Sequence, residues 1–170
     1  MAKEFFEEIK VLRAEEKDLK EMVEAATENF SGLKEKENAA KWLNCNFAAF
    51  PRMQYFVAKK LSEVAGYILW VEKGGFRKES VFELEQIAVK KIFQSQGIGT
   101  KLIEKSFWEI KNYVESRGST LKLVEVTTGT ENQAQKLYAK TLGAEAECTI
   151  KDFFREDEVV MIARLKDQKK

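Results

Sequence analysis

Residues 81–107 read VFELEQIAVKKIFQSQGIGTKLIEKSF. The first nine have the composition of a strand over 81–89, with Phe82 and Leu84 apolar and then Ile87 and Val89. The alternation slips between Leu84 and Ile87, as it does where a β-bulge inserts one residue. From Gly97 to Ser116 the period changes. Ile98, Leu102, Ile103, Phe107, Ile110 and Val114 recur at spacings of three and four, which predicts a long helix. Between strand and helix lies Gln94-Ser95-Gln96-Gly97-Ile98-Gly99-Thr100. A helix start exposes backbone N–H groups without intrahelical acceptors, and the aligned dipole adds roughly half a positive charge there. Glycines let that backbone approach an anion closely. The segment is therefore a candidate diphosphate cradle. Two common nucleotide motifs are excluded by their own spacing. Leu102 stands where the dinucleotide fingerprint needs a third glycine, and Gly99-Thr100-Lys101 is not a Gly-Lys-Ser/Thr loop.

Working outward, Ile9–Arg13 reads as a first strand. Asp18 opens a helix with Leu19, Met22, Val23 and Ala26 on one face, stopped at Ser31-Gly32. Asn38–Phe47 reads as a second helix. Gln54–Lys59 and Val64–Glu72 are strands joined by a polar turn, and Gly74-Gly75 begins a loop. After the long helix come a strand over Leu121–Thr127 and a helix over Glu131–Leu142 capped by Gly143. Strands over Ala146–Ile150 and Val159–Leu165 close the chain. The order β-α-α-β-β-β-α-β-α-β-β specifies an α/β chain with a mixed sheet of about seven strands and about four flanking helices. The 170 residues suit one domain over 1–170.

Composition narrows function. The 29 basic and 28 acidic residues are interspersed and leave a net charge of +1, so no basic face for nucleic acid is expected. With no histidine, the usual zinc sets and a histidine base are both missing, and no metal is expected. Cys45 and Cys148 are too few for a disulfide framework. The opening MAKEFFEEIKVLR carries acids and no apolar core, so it does not read as an export leader. The longest apolar run, Val64–Val71, is too short to cross a bilayer. A cytoplasmic, membrane-free protein is expected.

Gln-x-x-Gly-x-Gly after Ile87-Ala88-Val89 resembles the signature of the GCN5-related N-acetyltransferase (GNAT) superfamily. The likeness extends to Ile9–Arg13 with Asp18, to Asn132–Gly143, and to Asp152-Phe153-Phe154 followed by Asp157 and Met161. The resemblance implies a GNAT-like fold and transfer of an acetyl group from acetyl-coenzyme A to a primary amine. The amine would be a small amine or polyamine, a protein lysine or an N-terminus, attacking directly in a ternary complex. It implies that Ile87, Ala88 and Val89 offer backbone hydrogen bonds to the pantetheine and acetyl group, in a gap where the fourth strand splays from the fifth. It implies that Gln94, Ser95, Gln96, Gly97, Ile98, Gly99 and Thr100 hold the pyrophosphate. A catalytically silent coenzyme A sensor or scaffold, or a transferase of another acyl group, stays open, as does a homodimer.

The acceptor must lose a proton, because an alkylamine has a pKa near ~10.4. With histidine missing, carboxylates lead as base. Glu83 and Glu85 are two apart on one strand and so share a face. Glu83 matches the base position of the family's histone-modifying branch and Glu85 the acidic position of its polyamine branch. Glu85 is preferred as nearer the acetyl end. By the same resemblance, Tyr138 on the late helix protonates the leaving thiolate. The family pattern Asn-x-x-Ala-x-x-Leu-Tyr-x-x-x-Gly is met in one of two registers. One keeps Asn132 and puts Ala139 at the tyrosine place. The other keeps Ala134, Leu137 and Tyr138 and puts Glu131 at the asparagine place. The second is preferred, with Asn132 and Tyr138 both carried as cofactor contacts. The family's acceptor walls correspond to Phe30–Lys36 and Lys151–Glu158. Phe153 and Phe154 stand where enzymes of protein N-termini carry tyrosines, which disfavours that acceptor. Asp152, Glu156, Asp157 and Glu158 favour a cationic one.

Overall fold

The computed structural model describes residues 8–165. The opening MAKEFFE, read above for an export leader, lies outside them. The elements follow the order read from the sequence: β1 (Lys10–Arg13), α1 (Leu19–Asn29), α2 (Lys36–Ala48), β2 (Met53–Lys60), β3 (Glu63–Lys73), β4 (Glu79–Val89), α3 (Ile98–Ser116), β5 (Thr120–Gly129), α4 (Ala134–Leu142), β6 (Glu145–Ile150) and β7 (Glu158–Arg164). The strands form one mixed seven-stranded sheet in the order β1-β2-β3-β4-β5-β7-β6, so β1 and β6 are its edges. Among the described strands only β4 and β5 run parallel, and α3 is their crossover. Among the described residues no helix is long and apolar enough to cross a membrane.

Each face of the sheet packs its own core. On one side α3 and α4 bring Ile98, Leu102, Ile103, Ile110, Val114 and Tyr138 onto Phe56, Ile68, Trp70, Phe82 and Leu84. The Trp70 indole N–H donates to Ser106 Oγ at 2.8 Å, so the largest core side chain is also satisfied. On the other side α1 and α2 press Leu19, Met22, Val23, Ala26, Ala39 and Leu43 onto Tyr55, Val57, Tyr67, Leu69 and Val71.

The slip read between Leu84 and Ile87 is a bulge. Trp70 pairs with Leu84 but Leu69 pairs with Gln86, leaving Glu85 as the extra residue. The parity of β4 therefore flips, and Ile87 and Val89 rejoin the α3 face that Phe82 and Leu84 occupy earlier. α4 starts at Ala134 rather than near Glu131, because Asn132 Oδ1 accepts from the Ala134 N–H at 2.9 Å and holds the preceding turn.

Trp70→Ala should cost about 3–5 kcal/mol by opening a cavity beneath α3. Urea unfolding of the variant checks this, and a loss under 1 kcal/mol would contradict the packing described.

Candidate active site

The bulge has a consequence for the neighbouring strand. The parallel ladder between β4 and β5 ends at Glu83 opposite Glu125. Beyond it β4 runs on to Val89 and β5 to Gly129, with no recorded rung between them among the described residues. A bulge bends its strand and raises its twist, so the two C-terminal halves part. The gap carries backbone groups that lack ladder partners on that edge.

The loop that follows β4 is held by α1. Asn29 Nδ2 and Gln94 Nε2 each donate to the Val89 carbonyl at 3.0 Å. Glu28 Oε2 accepts from the Lys91 N–H at 2.7 Å. Lys90, buried after the strand end, meets Glu24 at 3.0 Å, Glu63 at 3.1 Å and Glu21 at 3.4 Å. The chain then turns through two left-handed residues, Ser95 at φ 61° and Gly97 at φ 75°. Gly97 is the N-cap of α3, and the space its missing Cβ would take is open. The amides of Ile98, Gly99 and Thr100 begin the helix and face no intrahelical acceptor. A pocket of about 170 Å³ is lined by Val89, Gln94, Ser95, Gly97, Ile98, Gly99 and Thr100, together with Phe93 and Leu137. Gln96 turns outward, donating to the Ile92 carbonyl and accepting from Lys60. Asn132 is not in that lining. Its Nδ2 donates to Thr128 Oγ1 at 2.8 Å, so its side chain is engaged with β5 and the start of α4. A cradle of free amides with no side chain at Gly97 suits a diphosphate.

The two glutamates of β4 sit differently. Glu83 is paired by Lys73 at 3.0 Å, and Lys73 also reaches Glu125 at 3.4 Å. Glu85 has no hydrogen bond or ion pair among the described residues. Half-burial pushes its carboxyl above the usual carboxylate range, and the Glu83 charge adds to this against Arg52 and Lys73. Beside it stand Tyr55 and Tyr67, packed edge to face at 5.6 Å. Asn46 Nδ2 donates to the Tyr55 hydroxyl, and the Tyr67 hydroxyl donates to Gln86 Oε1 at 3.1 Å. Burial raises both phenols, and the Glu85 charge raises them further. These tyrosines and Gln86 were not picked out from the sequence. The polar Gln86 inside an apolar strand end was the available signal.

Tyr138 lies on α4 and is 5% exposed. Burial pushes its phenol up to about 12. Its hydroxyl has no partner among the described residues, yet no buried side-chain oxygen there is left unpaired, so the hydroxyl reaches open space. At the far hairpin Phe153 and Phe154 pack edge to face at 4.6 Å and remain exposed. Among the described residues no cluster of potential metal ligands is present.

A family model described as Acetyltransferase (GNAT) family matches residues 19–144. A curated relative, named as an uncharacterized N-acetyltransferase of Methanocaldococcus jannaschii, is 30% identical over 105 residues, which is 59% of this chain. The match spans 43% of that relative's length. The ribosomal-protein-S18-alanine N-acetyltransferase of Escherichia coli superposes with a TM-score of 0.69 at 17% identity, covering 96% of this chain and 99% of that one. A chain of the NatC complex bound to Gag peptide and CoA superposes with a TM-score of 0.71 at 15% identity, covering 94% and 99%. These solved structures share the fold.

Glu85 titrates above its unfolded value, so its ionisation in the fold costs stability. That cost grows as pH rises from the ordinary carboxylate range through the raised folded value. Glu85→Gln removes it. The variant should melt above the wild type at pH 7, with the difference vanishing in acid below the carboxylate range. Melting curves across pH check this, and a variant less stable at neutral pH would show that Glu85 has a partner.

Proposed function

The chain belongs to the acetyltransferase (GNAT) family, and we propose on that footing that it moves an acetyl group from acetyl-coenzyme A to a primary amine, both bound together. One observation carries this reading: the free amides at the start of α3 line one pocket with Val89, the last residue of the strand that carries Glu85. Bound acetyl-coenzyme A supplies an activated acetyl thioester.

Gly97, Ile98, Gly99 and Thr100 would hold its diphosphate through their amides, with Ser95 at the rim. Gln94 acts differently from the loop amides: its side chain braces the Val89 carbonyl. That carbonyl is thus engaged, and the backbone of Ile87 and Ala88 is left for the pantetheine arm. Glu85 takes the proton of the incoming ammonium, directly or through one water. Its raised pKa makes it a stronger base than an ordinary carboxylate. Glu83 serves the site less directly, since Lys73 already neutralises it. Tyr138 keeps its proton throughout the neutral range and presents its hydroxyl to the departing sulfur. A thiol has a pKa near ~8.5, so this phenol acts as a hydrogen-bond donor to the thiolate more than as a full proton source.

Calorimetry should register binding of acetyl-coenzyme A and of coenzyme A, and Gly97→Glu should abolish both by setting a carboxylate against the diphosphate. Undiminished affinity in that variant would refute the cradle. Glu85→Gln should lower kcat by ~10²–10⁴ with coenzyme A affinity within twofold. Its rate should climb with pH towards the pKa of the amine, because only the already neutral acceptor reacts; an unchanged pH profile removes Glu85 from the chemistry. Tyr138→Phe should lower kcat more than it weakens cofactor binding, and full activity would end its role.

A further inference from the structure

The β1 rim of the sheet is unlike the β6 rim. β1 pairs with β2 in unbroken register, from Lys10 opposite Lys59 to Arg13 opposite Phe56, whereas the β6–β7 pairing shifts between Ala146 and Cys148. Among the described residues no strand pairs the outer side of β1. The Ala14 N–H donates to the Tyr55 carbonyl at 2.9 Å, so Ala14 turns its backbone groups towards β2. That direction alternates residue by residue along an antiparallel ladder. Leu12 therefore also faces β2, and the N–H and C=O of Val11 and Arg13 point outward. Apolar surface gathers at the same rim. Leu12 is 51% exposed, although Val57, its partner on β2, is fully buried. Trp108 on α3 is 61% exposed, and Phe50, stacked on the Arg13 guanidinium at 5.2 Å, is 56% exposed. A groove of about 620 Å³ runs between β1 and α3, with Val11, Leu12, Phe56 and Trp108 in its lining. A second, of about 600 Å³, is lined by Lys10, Leu12, Lys59 and Leu61. Leu12 borders both grooves.

A strand laid along β1 meets the outward backbone groups and closes both grooves at once. We propose that this strand is β1 of a second copy of the chain, so that two sheets join into one across a two-fold axis at Leu12. The charges suit a copy of the same surface. The α3 groove carries Arg13 and Lys105 against Glu104 and Glu109, so the signs balance and the face does not repel its own image. The backbone parity suits it too. Antiparallel pairing about Leu12 sets Leu12 opposite the partner's Leu12 and Arg13 opposite the partner's Val11. Val11 and Arg13 then exchange the hydrogen bonds that the free rim lacks. Leu12 falls in the non-hydrogen-bonded pair, where Cα atoms approach to about 4.5 Å and side chains touch. Lys10 meets the partner's Ala14, so no like charges stand opposite one another along β1. Trp108 then flanks the seam on the α3 side.

Sedimentation velocity of the full chain at micromolar concentration should give twice the chain mass, and a monomer there overturns the proposal. Leu12→Asp and Leu12→Lys each set like charges against each other at the axis, and each should weaken the dimer at least tenfold. An equimolar mixture of the two variants should dimerise again, since opposite charges then face each other. A dimer that both variants leave intact, or a mixture that stays monomeric, overturns the pairing at Leu12. A cross-link reads the register without placing a charge there. In a background of Cys45→Ser and Cys148→Ser, Leu12→Cys should form an intermolecular disulfide under mild oxidation, because the Cα separation at the axis lies within disulfide reach. Arg13→Cys, which meets the partner's Val11, should not. No cross-link at either position, or equal cross-linking at both, overturns the register.

Discussion

β4 carries one residue more than β3 can pair, and the site is arranged around that surplus. Without the bulge at Glu85 and Gln86, the apolar alternation of Phe82 and Leu84 would turn Ile87 and Val89 towards α1 rather than α3. With it, both faces of the strand stay matched to their helices. The extra residue places two polar side chains together on one face, and Tyr67 takes one of them, leaving Glu85 without a hydrogen bond or ion pair among the described residues. The same distortion coincides with the end of the β4–β5 ladder. A sheet normally satisfies its own backbone. Here a stretch of edge within the sheet is left without a ladder partner among the described residues.

An opening of this kind needs bracing, and α1 supplies it. Its Glu21 and Glu24, with Glu63 of β3, surround Lys90, its Glu28 accepts from the Lys91 amide, and Asn29 reaches the last β4 carbonyl. The anchored groups lie immediately before the left-handed residues that aim the start of α3. The loop is therefore fixed at its origin and free at its amides, which suits tight anion binding without large reorganisation.

The element order was legible throughout, because long apolar periods at 3.6 and 2 residues dominate α3, β3 and β4. Even the bulge showed, as a slip between Leu84 and Ile87. What local pattern could not carry was partnership across the sheet. Lys73 neutralises Glu83 because a β3–β4 register brings them together, and nothing near either residue announces it. Asn132 likewise donates to Thr128 and accepts from Ala134, partners that its place in a helix motif does not announce. Tyr55 and Tyr67 were not singled out, since they meet across the β2–β3 pairing and Asn46 reaches Tyr55 only through the packing of α2.

The outer rim of the sheet raises a separate matter. Every residue of β6 is exposed, and among the described residues no strand pairs its outer side. Its neighbour β7 matches Ala146 to Met161 and then Cys148 to Val160, so Glu147 is an inserted residue that kinks the rim. Glu145 and Glu147 add negative charge to it, one of them tied back to Arg164. An irregular, charged border is a poor template for a second chain to stack upon. Those two glutamates thereby guard against aggregation at high concentration, and replacing them with valine would invite fibrillar self-association while leaving the interior untouched.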